Sequence, residues 1–330
     1  MRYWIFLGTV LILLFPVQYA IATETAGKHA DIWRDSVYEA TDVSMKLVRL
    51  SEHCYYVQGQ AGAATDNEGF ISNAGVVITD EGVVVFDTLG TPSLGWQLRA
   101  RIRELTDKPV VKVIISHYHA DHIYGLQVFK DEGAEIIAPQ GALAYLADTA
   151  ESRLRERRES LFPWVNEETR LVAPDQINGA EQRFRLGGIE FVVHIIGSTH
   201  STGDQILQVP AEGVLYSGDL IFEGRIPLVA GSHPQAWLKG LEALPTEGLK
   251  VLVPGHGAAS HEPAHAIDFT RDYLRYLHDG MAAAVEDMTP FDEAYDAMDW
   301  STYRGLPAFV ANRLNAYYVY LGLEAESMDE

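Results

Sequence analysis

The sequence predicts a layered α/β domain. Three observations carry this. β-Branched apolar runs such as 109–115 (PVVKVII) alternate along the chain with stretches of helical spacing. No Ser/Gly linker, low-complexity segment or short repeat divides the chain into independent halves. Its polar, chemically capable clusters also recur at the C-terminal ends of apolar runs, which is where α/β sheets bind ligands.

Taken in order, the N-terminus stands apart. Arg2 is the only charge before Glu24, Tyr3 to Pro16 is apolar, and Ala20-Ile21-Ala22 has the small-x-small form of a cleavage site. Residues 1–22 therefore read as a secretory signal peptide. An uncleaved anchor is the competing reading, but Pro16 shortens the apolar run below membrane-spanning length. The expected location is the periplasm or beyond, with no membrane attachment after cleavage. Residues 23–45 read as an extension and 46–330 as one domain. Within it, 46–58, 70–79 and 82–87 are expected strands, with Asp80-Glu81-Gly82 as a hairpin turn. Pro92 to Leu105 has amphipathic helical spacing, and 109–115 reads as a buried strand of parallel type. Leu126 and Phe129 begin another helix that Gly133 stops. Then come a strand at 134–138, a helix at 140–160 with an Arg/Glu-rich outer face, and antiparallel strands within 183–196, 205–210 and 213–218. A helix at 234–244, a strand and loop at 250–257, and mostly helix from 262 onward complete the pattern.

Composition excludes several roles. The 330 residues carry 25 Lys+Arg against 46 Asp+Glu, a net charge of −21 that becomes −22 when Arg2 leaves with the leader. Such a chain is poorly suited to nucleic acid or anionic membrane surfaces. Cys54 is the only cysteine, so no internal disulfide can form. It sits in a strand-like stretch, CYYVQG, and reads as a small buried hydrophobe rather than a nucleophile.

The chemistry concentrates in SHYHADH, residues 116–122. The chain has twelve histidines, and three fall within these few residues. In an extended segment, positions i and i+2 point the same way, so His117 and His119 could hold one ion. Asp121 and His122, past the turn, could reach a second ion nearby. More donors recur in the same context of apolar strand, tight turn and one ligand: His200 in GSTHSTGD, Asp219 in LYSGDLIF, and His256 between two glycines in VLVPGHG.

HYHADH resembles the HxHxDH motif of the metallo-β-lactamase superfamily, and His200, Asp219 and His256 match its later motifs in order. The resemblance spans roughly 45–322. It implies a four-layer αββα sandwich with C-terminal helices and metals at one edge between the sheets. It implies a first metal on His117, His119 and His200, a second on Asp121, His122 and His256, and Asp219 bridging both. Asp219 within GDLIF is more similar to glyoxalase II and the broad hydrolases than to lactamases that carry cysteine there. The basic glutathione-binding residues of glyoxalase II have no counterpart here. NEGFISNAGVVITDEGVVVFDTLG, GDLIFEGRIPLV, KVLVPGHG and NAYYVYLGLE together resemble quinoprotein relay system metallohydrolases, which are related to proteins of sulfur-oxidation gene clusters.

Mixed nitrogen and oxygen donors suit two Zn²⁺, with Fe or Mn as alternatives. Such a pair would share a hydroxide as nucleophile, with Asp121 or Asp219 moving a proton. The expected function is a metal-dependent hydrolase of a small-molecule ester, lactone, thioester or amide-type bond. The alternatives are β-lactam hydrolysis, a mononuclear iron persulfide dioxygenase, and a non-catalytic accessory of a periplasmic quinoprotein dehydrogenase. Other features weigh less. HEPAH (261–265) mimics a zinc-protease motif, but Pro263 belongs at a helix start, with Ser260 as its cap. His194 reads as structural. Asp87 is balanced between a turn role and a hydrogen bond to a metal-binding histidine, and Asp204 is equally open. Arg225 reads as a surface ion pair ahead of a substrate contact. Phe70, Tyr118 and Trp164 are core residues or pocket walls.

Overall fold

A computed structural model describes residues 32–329. The signal-peptide segment and the start of the 23–45 extension lie outside these residues. The chain divides into two units at Tyr38. In the described part of the first, the Ser36 amide donates to the Trp33 carbonyl (3.2 Å). The second unit, Glu39–Glu330, begins earlier than the expected boundary at 46: Val43 and Met45 are buried, and the Val43 carbonyl accepts from Gln97 Nε2 (3.0 Å).

Seven strands form one sheet in sequence order: β1 (Val48–Arg49), β2 (Cys54–Val57), β3 (Ala74–Ile78), β4 (Val83–Phe86), β5 (Val110–Ile114), β6 (Glu135–Pro139) and β7 (Gln176–Asn178). Pairing is antiparallel from β1 to β4 and parallel from β4 to β7. Five more strands form the second sheet: β8 (Gln182–Leu186), β9 (Ile189–Gly197), β10 (Asp204–Val209), β11 (Val214–Phe222) and β12 (Val251–His256). Their order is β12-β11-β10-β9-β8, antiparallel except for the parallel β11–β12 pair. The helices are α1 (Pro92–Arg103), α2 (Ala120–Ile123), α3 (Leu126–Asp131), α4 (Gly141–Asp148), α5 (Ala150–Ser160), α6 (Pro234–Glu242), α7 (Pro263–Glu286), α8 (Phe291–Ala297) and α9 (Asn312–Asp329). Among the described residues, no helix is long and apolar enough to cross a membrane.

Strand alternation sorts the side chains into layers. Val84, Phe86 and Ile114 of the first sheet meet Phe191, Val193, Leu207, Tyr216 and Val253 of the second in one buried cluster. The opposite face of the second sheet, with Leu215, Leu220 and Phe222, packs on Trp237, Tyr273, Leu277, Met281 and Tyr320 of the later helices. On the first sheet, Val83 and Val85 are buried on the outer side, with α1 and α3 packed against each other. Each fully buried large apolar side chain contributes about 1.5–3 kcal/mol. The result is the expected α/β sandwich with C-terminal helices.

Some elements differ from expectation. The 46–58 run breaks into β1 and β2, because Leu50 and Ser51 both donate back to the Cys54 carbonyl and close a turn. The 140–160 helix is two helices meeting at Thr149. Strand β11 continues through Gly218 and Asp219, where a turn was expected, with a register shift on either side of Gly218. Ser260 is not the α7 cap; that position is Glu262, and His261 lies outside the helix.

Candidate metal centre

The parallel strands end at one edge of the sandwich, and the candidate ligands lie there. His117 and His119 follow β5 in extended backbone, with ring centroids 4.4 Å apart. Asp121 and His122 lie past the turn that follows His119. They occupy the short helix α2, which brings the His122 ring to 4.5 Å from that of His117. His200 lies in the β9–β10 turn, Asp219 at the irregularity in β11, and His256 ends β12. A β-bulge of this kind re-aims a side chain. The close approach of β11 and β12 requires a glycine: a Cβ on Gly255 would stand 2.0 Å from Asp219 Oδ1.

All seven residues converge in two groups. Donor atoms of His117, His119, His200 and Asp219 lie within 4.8 Å of one another, as do those of Asp121, His122 and His256. Asp219 touches both groups: Oδ2 is 3.4 Å from His200 Nε2 and 3.3 Å from His256 Nε2, and Oδ1 is 3.1 Å from His122 Nε2. Asp121 Oδ2 is 3.3 Å from His256 Nε2. His119 and Asp121 are partly exposed; the other five are buried. The donor set fits a divalent metal. Nε2 of His117 and His122 and Oδ1 of Asp219 are buried without a hydrogen bond, a costly arrangement that a bound cation would relieve.

Charge divides the two groups. Burial pushes the His117 imidazole well below its usual value, and His119 falls to about 3 through burial and the nearby His200. Burial opposes protonation of His122 and His256 too, but carboxylates outweigh it and raise both: Asp219, Asp121 and Asp87 for His122, and Asp219 and Asp121 for His256. Burial likewise opposes ionisation of Asp219 and Asp121, yet His256 and His122 hold both carboxylates below the usual range.

Outer partners fix the rings. Asp87 ends β4 with a left-handed backbone (φ 62°) and is fully buried. It accepts from Ser116 N (2.7 Å), Ser116 Oγ (2.7 Å) and His122 Nδ1 (2.9 Å). Ser116 Oγ also lies 2.9 Å from His117 Nδ1. One carboxylate thus orients a histidine in each group, which decides the open question about Asp87. Asp204 braces the His200 turn, accepting from Thr199 N and Oγ1 and from Ser201 N and Oγ. His256 Nδ1 donates to the Ile71 carbonyl (2.7 Å). Phe222 stacks on the His256 ring at 5.2 Å, and Trp237 packs edge-on against His200 at 5.1 Å.

The remaining candidates sort cleanly. His194 pairs with Gln208 and Glu181, away from the cluster. Cys54 is buried, and burial pushes its thiol up to about 12, so it is no nucleophile. Phe70 is core, Trp164 donates to the Ala40 carbonyl, and Tyr118 lines a cavity beside His119. Arg225 contradicts its surface reading. Its Nε is buried without a partner, and Nη1 lies 3.3 Å from His256 Nδ1. Since that nitrogen donates to Ile71, the contact leaves the guanidinium free to bind something else. Sequence reasoning missed Ser116, Asn73 and Trp237 as supports. Asn73, for instance, donates to the carbonyls of Pro254 and Gly257 on either side of His256. Their contacts are made across the fold, and nothing local announces them.

Residues 67–256, which include the whole cluster, match the family model of the metallo-beta-lactamase superfamily. The chain belongs to this superfamily. Among curated superfamily relatives, the linear primary-alkylsulfatase of Pseudomonas sp. is 22% identical over 60% of this chain and 44% of its own length. Metallo-beta-lactamase IND-1 of Chryseobacterium indologenes is 23% identical over 63% of this chain and 80% of its own. Among solved structures, the stereoselective inverting sec-alkylsulfatase Pisa1 from Pseudomonas sp. superposes with a TM-score of 0.65 at 18% identity, covering 90% of this chain and 54% of that one. The chain thus spans about half the length of these alkylsulfatases, and the likeness to Pisa1 is one of fold.

Proposed function

We propose that the protein is a hydrolase working with two divalent ions, Zn²⁺ first among them, on an ester-type bond of a small molecule. The observation that carries this reading is the position of Asp219, whose two oxygens face donors of both groups. In this reading His117, His119 and His200 hold one ion, Asp121, His122 and His256 the other, and Asp219 joins them. The ions would supply a hydroxide at neutral pH and a Lewis acid for the scissile group. The chain's own residues do the rest. His119 and Asp121, the partly exposed members, meet the substrate side of the cluster. Asp121, held ionised, can accept a proton there and return it to the leaving group. Phe222 and Trp237 exclude water behind His256 and His200, which strengthens the electrostatics at the cluster. Arg225, with donors to spare, favours a substrate bearing an acidic group, and the sulfate esters named for two relatives join esters, lactones, thioesters and β-lactams as candidates.

The test is metal content of the purified protein followed by turnover of that substrate panel. Two zinc ions per chain with turnover of one class supports the reading. One iron per chain with persulfide oxidation would replace it with the dioxygenase alternative. Activity in the host from a variant lacking the ligands would point to the accessory role.

A further inference from the structure

We infer that the outer face of α9 is a homodimer interface, on which a second copy of this chain packs its own α9 antiparallel across a two-fold axis. This interface is independent of the reaction at the metal cluster.

Burial splits α9 into two faces. Asn312, Asn315, Ala316, Val319 and Tyr320 are buried. The positions between them, Leu314, Tyr317, Tyr318, Leu321, Gly322, Ala325 and Met328, are exposed. At 3.6 residues per turn these form one continuous stripe on the side opposite the buried face. No residue from Leu314 to Leu323 is charged. The exposed side of α7, by contrast, carries Asp272, Arg275, Asp279 and Glu286. A helix that is apolar all round is one that is covered all round. With Val310, just ahead of the helix, the exposed large apolar residues range from 39% (Leu321) to 93% (Val310) accessible. At on the order of 200 Å² for each such side chain when fully open, they present roughly 700 Å². That is above the patch of about 300–600 Å² usual on a monomer. It approaches the roughly 800 Å² that each partner gives to a stable complex.

The occupant follows from the order of residues, because the stripe complements itself when reversed. A two-fold axis between Val319 and Tyr320 sets Tyr317 against Gly322, Leu314 against Ala325, and Tyr318 against Leu321. Two of these pairs place a large side chain over a small residue. Beside Tyr318, Gly322 and Glu326 lies a cavity of about 370 Å³, also lined by Lys239 and His278. Tyr317 of the second copy, opposite Gly322, would fill part of it. The same register sets Arg313 against Glu326. Arg313 bonds Asp292 and Asp296 of α8 yet keeps 47% of its side chain exposed, and Glu326 is exposed. A parallel pairing would instead set each of these charges against its own copy. At a net −21, two chains repel each other. Contact is least opposed where the surface is uncharged and flanked by a cation, and the α9 stripe with Arg313 meets both conditions. The same net charge disfavours an anionic membrane as the occupant.

The test is sedimentation velocity of the purified protein across about 1–100 µM, where an interface near the low end of the standard size should give a dimer with Kd in the micromolar range or below. Leu321→Glu brings two like charges together near the axis and should raise Kd at least about tenfold, with zinc content and the circular dichroism spectrum unchanged. Glu326→Arg should weaken the dimer about threefold to tenfold by turning two exposed ion pairs repulsive, although it makes the chain less negative. Cross-linking reads the direction. Cys54 is the only cysteine and is buried, so an introduced cysteine is the reactive one. Leu321→Cys should form a disulfide-linked dimer with diamide, whereas Met328→Cys, with its copies roughly 25 Å apart along antiparallel helices, should not. A monomer at the highest concentration, or a dimer that Leu321→Glu leaves intact, overturns the inference. Cross-linking through Met328→Cys in place of Leu321→Cys overturns the antiparallel pairing. A monomer that binds neutral phosphatidylcholine vesicles, and loses that binding in Leu321→Glu, assigns the stripe to a lipid surface instead.

Discussion

Replacing Asp87 with asparagine should weaken metal binding without unfolding the protein. The carboxylate accepts from Ser116 N, Ser116 Oγ and His122 Nδ1, at 2.7, 2.7 and 2.9 Å. Asparagine tolerates the left-handed backbone at this position (φ 62°), and its one oxygen can keep the Ser116 amide. Its NH₂, however, would face the His122 Nδ1 proton, donor against donor. His122 can escape by moving its proton to Nε2, the atom aimed at the cluster, and that blocks a ligand. A hydrogen bond to a charged group contributes about 1.5–3 kcal/mol. At about 1.4 kcal/mol per decade, this is roughly tenfold to a hundredfold in affinity. Asp87→Ala should behave differently. It strands two buried donors, Ser116 N–H and His122 Nδ1–H, at about 1–3 kcal/mol each. The sum, about 2–6 kcal/mol, is a large share of the roughly 5–15 kcal/mol that holds a domain folded. Competition with a zinc chelator gives affinity, and thermal melts followed by circular dichroism give stability. Wild-type zinc affinity for every bound ion in Asp87→Asn would refute the orienting role.

Three further outcomes follow from the same geometry. Zinc analysis should show that His117→Ala mainly loses the ion of the His119–His200 group and Asp121→Ala that of the His122–His256 group, each folded and largely inactive; two tightly bound ions and full activity in Asp121→Ala would be the contrary result. His122 and His256 have proton affinities raised above the ordinary 6.5, so a metal must displace their protons, whereas His117 and His119 are already neutral at that pH. As pH falls toward and below 6.5, metal should leave the Asp121–His122–His256 group first, and binding there should release protons, measurable by calorimetry in buffers of different ionisation enthalpy. Mass spectrometry of exported protein should place the mature N-terminus at Thr23 or within a few residues of it, and an intact Met1 on soluble protein would argue against cleavage.

Most of the candidate ligands were legible because they sit at or just past the end of a strand, and strands announce themselves by local composition. PVVKVII before His117 and VLVPGHG around His256 needed no knowledge of the fold. The glycine beside His256 was visible too, and its reason is now specific: Gly255 leaves room for the Asp219 carboxylate. Non-local matters were harder to read. Asp87 looked as much like a turn residue as a partner of His122, 35 positions away, and only the parallel pairing of β4 with β5 brings them together. Arg225 looked like one more surface cation because charge patterns along a sequence do not reveal depth.

Arg225 matters to the choice between one ion and two. When ionised, Asp87, Asp121 and Asp219 place three negative charges in and around a largely buried cluster, and Arg225 adds one positive charge beside it. A single divalent ion would bring this set to neutrality and leave little to attract an acidic substrate. Two divalent ions leave a net positive charge of two, in a site whose apolar wall of Phe222 and Trp237 limits screening. Such a centre needs an anion, and a hydroxide together with an acidic substrate group would meet that need. The chain as a whole, at a net −21, works in the other direction. Selection for an anion must then come from the cluster and not from long-range steering, which would make the site demanding about how that anion is held.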